Sequence, residues 1–324
     1  MKRREFITLL GGVATWPLMA RAQQPTTPII GLLSIAPPGA WVAALAGFRQ
    51  ALSETGFVDG QTVTIESRWA ESQFDRLPAL TADLLRRQAA VFFANGPPAV
   101  RAIRAQSATV PIVFFIGEDP VKERLVDSLN RPGDNITGVT NFQNQLFGKQ
   151  LGLLREILPK ATVFAFLINP RNPNADPDTN EARAAAVAVA QELRVFAAST
   201  EDDLKVAFAA MKEQGIDGLL VGVDSFGLSA DHFAALIAQY AIPTVYHLRD
   251  YPLAGGLMSY GASRVEAWRQ AGTYVGRVLK GEKAGELPIL QSTKFEFVLN
   301  LRTAHELNIE VPSGVLSVAD EVIE

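Results

Sequence analysis

One pattern occurs twice in the chain, and the repeat limits the folds open to it more than any other feature. Val110-Pro111-Ile112-Val113-Phe114-Phe115 runs into Gly117-Glu118-Asp119-Pro120, and Ile242-Pro243-Thr244-Val245-Tyr246-His247 runs into Leu248-Arg249-Asp250-Tyr251. Each copy is an apolar, β-branched and aromatic run with Pro at its entrance, the form of a buried strand. Each follows an amphipathic stretch, at 100–107 and 232–240. Ile29 opens an apolar strand 82 positions before Pro111, and Val163 opens another 80 positions before Pro243. Two halves with the same strand order predict a duplicated α/β unit that binds its ligand between the halves.

Strand and helix candidates alternate along both halves, the sequence form of parallel sheets with helices on both faces. The first half offers strands at 29–35, 62–67, 91–94 and 111–116, with helices at 41–55, 74–87 and 97–105. The second offers strands at 163–168, 194–198, 218–221 and 244–247, with helices at 178–193, 202–214 and 230–240. A turn cluster at 130–135 and a strand at 136–140 place a first crossing between lobes. A second crossing strand is read at 255–261 and a third crossing near 281–291. The lobes are therefore expected at 28–140 plus 256–283 and at 141–255 plus 292–324. Several crossings act as a hinge, where a few residues absorb a rigid-body rotation.

The chain has 324 residues, enough for two domains with a core each. Its 48% apolar and 20% charged residues are those of a soluble globular protein. No run reaches the roughly 18 apolar residues of a membrane span. Cys is absent, which removes disulfides, thiolate metal sites and Cys nucleophiles. Three dispersed His residues (His232, His247, His305) offer no metal site. A formal charge of −4 speaks against a nucleic-acid partner.

The first 22 residues read as a cleaved signal peptide. Lys2-Arg3-Arg4 is a basic start, 6–19 is mostly apolar, and Ala20-Arg21-Ala22 supplies the small residues of a cleavage site. Arg3-Arg4-Glu5-Phe6-Ile7 is similar to a twin-arginine signal. Removing four basic residues and one acidic one takes the formal charge from −4 to −7 and leaves a mature chain starting at Gln23. An exported, soluble, periplasmic protein is expected.

Ligands of open α/β sheets sit outside the carboxyl ends of the strands. The residues just past the expected strands are Ser34, Asn95, Gly96, Gly117 and Asp119 in the first half. In the second they are Asn169, Asn172, Asn174, Asp224, Ser225, Tyr246 and His247, and the topology brings Trp41 and Tyr260 near. Small polar groups mixed with aromatics suit a small polar molecule with an apolar part. Helix starts at Pro97-Pro98-Ala99 and at 225–230 offer N–H groups to a carboxylate, and Asp119 or Asp224 is available to an ammonium group. Plainer roles stand beside these: Asp224 as a helix cap, Asp119 as a turn residue, Trp41 and Phe115 as core, and His247 as a buried imidazole. No GxSxG, GxxxxGK[ST] or paired-His motif is present, so neither an enzyme nor a metal or other cofactor is expected.

Five stretches carry a family resemblance: 3–12, Asp127-Ser128-Leu129-Asn130-Arg131-Pro132-Gly133, Gly256-Leu257-Met258-Ser259-Tyr260-Gly261, Lys294-Phe295-Glu296-Phe297-Val298-Leu299-Asn300 and 319–324. Together they resemble the substrate-binding proteins of ABC importers, in the family with tryptophan- and tyrosine-binding members. The resemblance implies a type I periplasmic-binding-protein fold: two Rossmann-like lobes with parallel sheets, joined by three crossings. It also implies a monomer that hands a small-molecule solute, with an amino acid favoured, to a membrane permease and its ATPase. An exported ligand-sensing subunit is the alternative. Two positions depart from the family pattern: Gly96-Pro97 replaces Thr-Pro, and Val223-Asp224-Ser225 replaces Ala-Asp-Pro.

Overall fold

The computed structural model describes residues 27–224 and 226–324. The expected signal peptide and Ser225 lie outside the described residues. The first half of the chain forms β1 (Ile29–Ser34), α1 (Val42–Glu54), β2 (Thr64–Trp69), α2 (Leu77–Arg86), β3 (Ala89–Asn95), α3 (Pro97–Arg104), β4 (Ile112–Ile116) and β5 (Ile136–Thr140). The second forms α4 (Phe147–Ile157), β6 (Val163–Ile168), α5 (Ala175–Ala188), β7 (Glu192–Ala197), α6 (Glu201–Glu213), β8 (Gly218–Val221), α7 (Ala230–Ala238), β9 (Thr244–Tyr246), α8 (Asp250–Leu253) and β10 (Met258–Ala262). The chain ends through α9 (Arg264–Leu279), β11 (Leu290–Gln291), β12 (Phe295–Asn300), α10 (Leu301–Glu306), α11 (Ser313–Ser317) and β13 (Glu321–Ile323).

Two sheets result. One runs β11-β5-β4-β3-β1-β2 and is parallel throughout. The other runs β13-β12-β10-β9-β8-β6-β7 and is parallel except where β10 meets β12. The repeated strands take matching central places: β4 lies between β3 and β5, and β9 between β8 and β10. Every residue of β4 is buried, as the apolar run Ile112–Ile116 requires of a strand covered on both faces.

Helices cover the sheets. α9 crosses back from the second lobe and packs along α1, and the contact depends on small residues. A Cβ on Gly272 would lie 2.4 Å from the Phe48 carbonyl oxygen, and one on Gly276 would lie 2.0 Å from Thr55 Oγ1. Trp268 of α9 is fully buried among Phe48, Phe93 and Trp41.

The second crossing falls later than expected. Residues 258–262 are not a connection into the first lobe: β10 is a full strand of the second sheet, paired with β9 and β12. Four of its five residues are buried, so its apolar content is used between two neighbours. The chain leaves that lobe only at Ser263. Residues 284–291 also differ from the expected linker, because Leu290 and Gln291 extend the first sheet beside Val139 and Thr140.

Three crossings lie side by side and are bonded to one another. Ala262 N donates to Gln143 Oε1 (3.4 Å), Ser263 N to the Lys294 carbonyl (2.9 Å), and Ser292 N to the Thr140 carbonyl (2.8 Å). Phe142, in the first crossing, holds φ at 45°, a left-handed conformation that few non-glycine residues adopt.

Candidate functional site

Between the sheets lies a cavity of about 480 Å³ whose wall comes from both lobes. It opens where the carboxyl ends of the strands face each other, as open α/β sheets dictate. Asn95 and Gly96 arrive at the end of β3, Gly117 and Glu118 past β4, Asn141 past β5, Asp224 past β8 and His247 past β9.

Of the residues expected at the site, Trp41, Asn95, Gly96, Gly117, Asn174 and Asp224 line the cavity, together with Asn172 and His247. Trp41 answers to both readings made of it. Its ring stacks on core Trp268 with centroids 4.9 Å apart, and the Arg264 guanidinium lies 4.5 Å from its centroid. Much of its π surface is therefore engaged before any solute enters.

The loop 169–174 is built by its asparagines. Arg171 N donates to Asn169 Oδ1 (3.1 Å) and Asn174 N to Asn172 Oδ1 (3.0 Å), two successive side-chain turns. Asn172 Nδ2 then donates to Asp224 Oδ2 (2.8 Å), and Phe226 N to Asp224 Oδ1 (2.6 Å). Asp224 thus holds a turn at the cavity wall. It does not cap α7, whose cap is Ser229, accepting from His232 N at 3.3 Å.

Five expected residues stand elsewhere. Ser34 is fully buried behind Asn95 and accepts from its Nδ2 (2.9 Å), fixing that amide. Asn169 likewise sits behind the wall, with Nδ2 3.4 Å from Asp224 Oδ2. Asp119 turns away to accept from Val121 N (2.9 Å) and Lys122 N (3.3 Å), the turn role. Tyr246 points into the core, stacked on Tyr251 at 4.6 Å, because successive strand residues face opposite sides and His247 takes the cavity side. Tyr260 packs parallel to Phe295 at 6.1 Å, outside the cavity. The start of α3 also offers less than expected: Pro97 and Pro98 have no N–H, and Ala99 N and Val100 N both bond to the Gly96 carbonyl.

Sequence reasoning passed over Glu118, Arg264, Asp250 and Asp231, all of which line the cavity. Glu118 is 4% exposed. Its Oε2 accepts from Gly117 N (2.9 Å) and its Oε1 from Asn174 Nδ2 of the other lobe (2.6 Å). Burial, with the charge of Glu123 beside it, pushes its carboxyl up to about 7. Arg264 pairs with Asp250. His247 is buried near Arg264, and both burial and that charge push its imidazole down to about 3. The charged wall therefore carries the carboxyl groups of Glu118, Asp224, Asp231 and Asp250 against the guanidinium of Arg264.

Such a cavity between two α/β lobes defines a solute-binding protein of the type I periplasmic-binding-protein fold. Residues 30–323 match the model of the ABC transporter substrate binding protein family, and the chain belongs to that family. Its members are solute-binding proteins and not enzymes. The tyrosine-binding protein of Clostridioides difficile is 23% identical over 268 residues, covering 82% of this chain and 77% of that one. The ABC domain in complex with L-Trp from Streptococcus pneumonia matches with a TM-score of 0.83 at 22% identity, over 92% of this chain and 100% of that one. The ligand-free, open structure of a substrate binding protein with adhesive properties from Clostridium difficile matches with a TM-score of 0.64 at 21% identity, over 91% and 99%. No helix among the described residues is long and apolar enough to cross a membrane.

Proposed function

We propose that the chain, exported and trimmed to start at Gln23, is the solute-binding component of an ABC importer in the periplasm. Its solute is an amino acid with an aromatic or branched side chain, held in the interlobe cavity by closure about the three crossings. The carrying observation is the cavity itself: about 480 Å³, walled by both lobes, apolar over Ile35, Pro37, Phe115 and Leu228, and lined by the carboxyl groups of Glu118, Asp224, Asp231 and Asp250. Asp224 suits an ammonium group, and Arg264 with the first turn of α7 suits a carboxylate. Trp41, Asn95, Gly96, Gly117 and Asn174 complete the contacts. The tyrosine- and L-Trp-binding relatives support the solute class, and the better fit to the liganded relative than to the open one accords with lobes drawn together. A solute that touches both lobes favours the closed state by its differential affinity.

A thermal-shift series with L-tryptophan, L-tyrosine, L-phenylalanine, L-leucine and L-valine tests this reading. A ligand at about 100 times its Kd adds about 2.7 kcal/mol, a rise of a few degrees in Tm for a chain of this size. A rise with at least one of the five is expected. No rise with any of them discards the amino-acid assignment.

A further inference from the structure

The cleft holds a second arrangement, at the edge of the cavity, that joins the lobes through a buried carboxyl group. Glu118, past β4 of the first lobe, meets the start of α5 in the second. Asn174 Nδ2 donates to its Oε1 across the boundary, and one turn along α5 lies Asp178, itself only 3% exposed and within reach of the Glu118 charge. The other ends of these groups lack donors: Asn174 Oδ1 and Asp178 Oδ1 are buried without a hydrogen-bond partner. Two buried carboxyl groups thus act on each other across the lobe boundary, with acceptor atoms among them and Asn174 that no N–H group fills. Two buried carboxylates this close resist ionising together. A proton on either one supplies the missing donor and removes the repulsion.

We propose that lobe closure is coupled to uptake of a proton by the Glu118–Asp178 pair, so that the closed form is favoured in acid and loosened toward alkaline pH. Separation of the lobes returns Glu118 to water and to ordinary carboxylate behaviour, and the proton is released. The surrounding charges do not cancel the effect. Glu118 faces Glu123 and Arg101 in its own lobe, and Arg101 is already paired with Glu123. Asp178 feels the charges of Glu118, Asp224 and Glu123, and its carboxyl is raised well above the ordinary range, chiefly by burial, against the backbone hydrogen bond it takes from Val223. The exposed pair Lys122–Glu181 (3.0 Å) also spans the lobes, but neither partner is buried.

The sign follows from linkage. Both carboxyls are raised in the closed form, so closure is fully favoured below the ordinary carboxylate range near 4.5. That advantage is lost as pH rises through about 7. One proton taken up changes the closing constant by at most about tenfold per pH unit in that window.

The test needs no solute, so its failure is distinct from failure of the amino-acid reading. Cys is absent from the chain, so single cysteines at exposed Thr109 and Val187, one on each lobe, take a dye pair cleanly. Interlobe energy transfer is then read from pH 5 to 8.5 without ligand. The labelled chain is expected to shift from short to long separation as pH rises, with the steepest change between pH 5 and 7.5. Glu118→Gln, which keeps an acceptor for Asn174 and adds an amide donor, is expected to hold one distribution throughout. Asp178→Asn is expected to flatten the response in the same way. A separation in the native chain that ignores pH overturns the proposal, as does an unchanged pH response when both substitutions are combined.

Discussion

Trp41, on the cavity wall, stacks on Trp268 in the core of the first lobe with centroids 4.9 Å apart and planes 15° from parallel. The cavity is therefore continuous with the packing of α9 against α1, and a change in that core reaches the solute. Removing the large, fully buried indole in Trp268→Ala is expected to cost about 3–5 kcal/mol. It also leaves Trp41 without its support. Urea unfolding measures the first effect, and calorimetric titration of the folded fraction measures the second as weakened binding. Full native stability in this variant contradicts the packing described.

The crossings depend on a glycine. A Cβ on Gly261 would lie 2.0 Å from the His247 carbonyl oxygen and 3.1 Å from Gln143 Oε1. No flexible side chain can yield to relieve the first contact, since it is with backbone. Gly261→Ala is expected to lose about 1–3 kcal/mol in thermal unfolding through forced backbone shifts. Gly314→Ala, where a Cβ meets nothing within 4 Å, serves as the control and is expected to stay near native stability.

His247 contributes a pH dependence of opposite sign to that of Glu118. Its native imidazole stays neutral down to about 3, while the unfolded one takes a proton near its ordinary value of about 6.5. Between those values the unfolded state binds more protons, so this residue lowers stability as pH falls from about 6.5 toward 3. The slope is at most about 1.4 kcal/mol per pH unit. The difference in unfolding free energy between the native chain and His247→Gln is expected to shrink from pH 7 to pH 5. A difference that stays constant over that range removes the assignment.

Much of the fold is legible in the residues because the central strands are continuous apolar runs. Ile112–Ile116 and Val163–Ile168 have few other uses in a globular chain. What escapes notice is short or set by long-range pairing. β11 has two residues and β13 three, and each exists because a neighbouring strand end offers partners. β10 reads as a crossing because its glycines suggest a bend, yet Gly261 is there for the close approach of the His247 carbonyl.

The site is legible to the level of strand ends and no further. At Glu118-Asp119 and Tyr246-His247, two adjacent polar residues stand at a strand end and only one of each pair lines the cavity. Asp119 before Pro120 carries the stronger turn signal, which drew attention from Glu118, although a turn role is just what removes Asp119 from the wall. The aromatic Tyr246 reads as a ligand contact in the sequence, but its ring completes the core with Tyr251 and Phe233. Arg264 and Asp250 come to the cavity through the second crossing and α8, which strand-end reasoning does not reach.

Calorimetric titration of the chain starting at Gln23 with L-tryptophan and L-tyrosine, beside Asp224→Ala, tests the account most directly. Asp224 is held at the cavity wall by Asn172 and by Phe226 N, so its loss removes both a carboxylate and the turn that presents it. The account predicts binding of at least one of the two amino acids at one site per chain, weakened tenfold or more in Asp224→Ala. Binding of neither, or equal binding by both proteins, contradicts it.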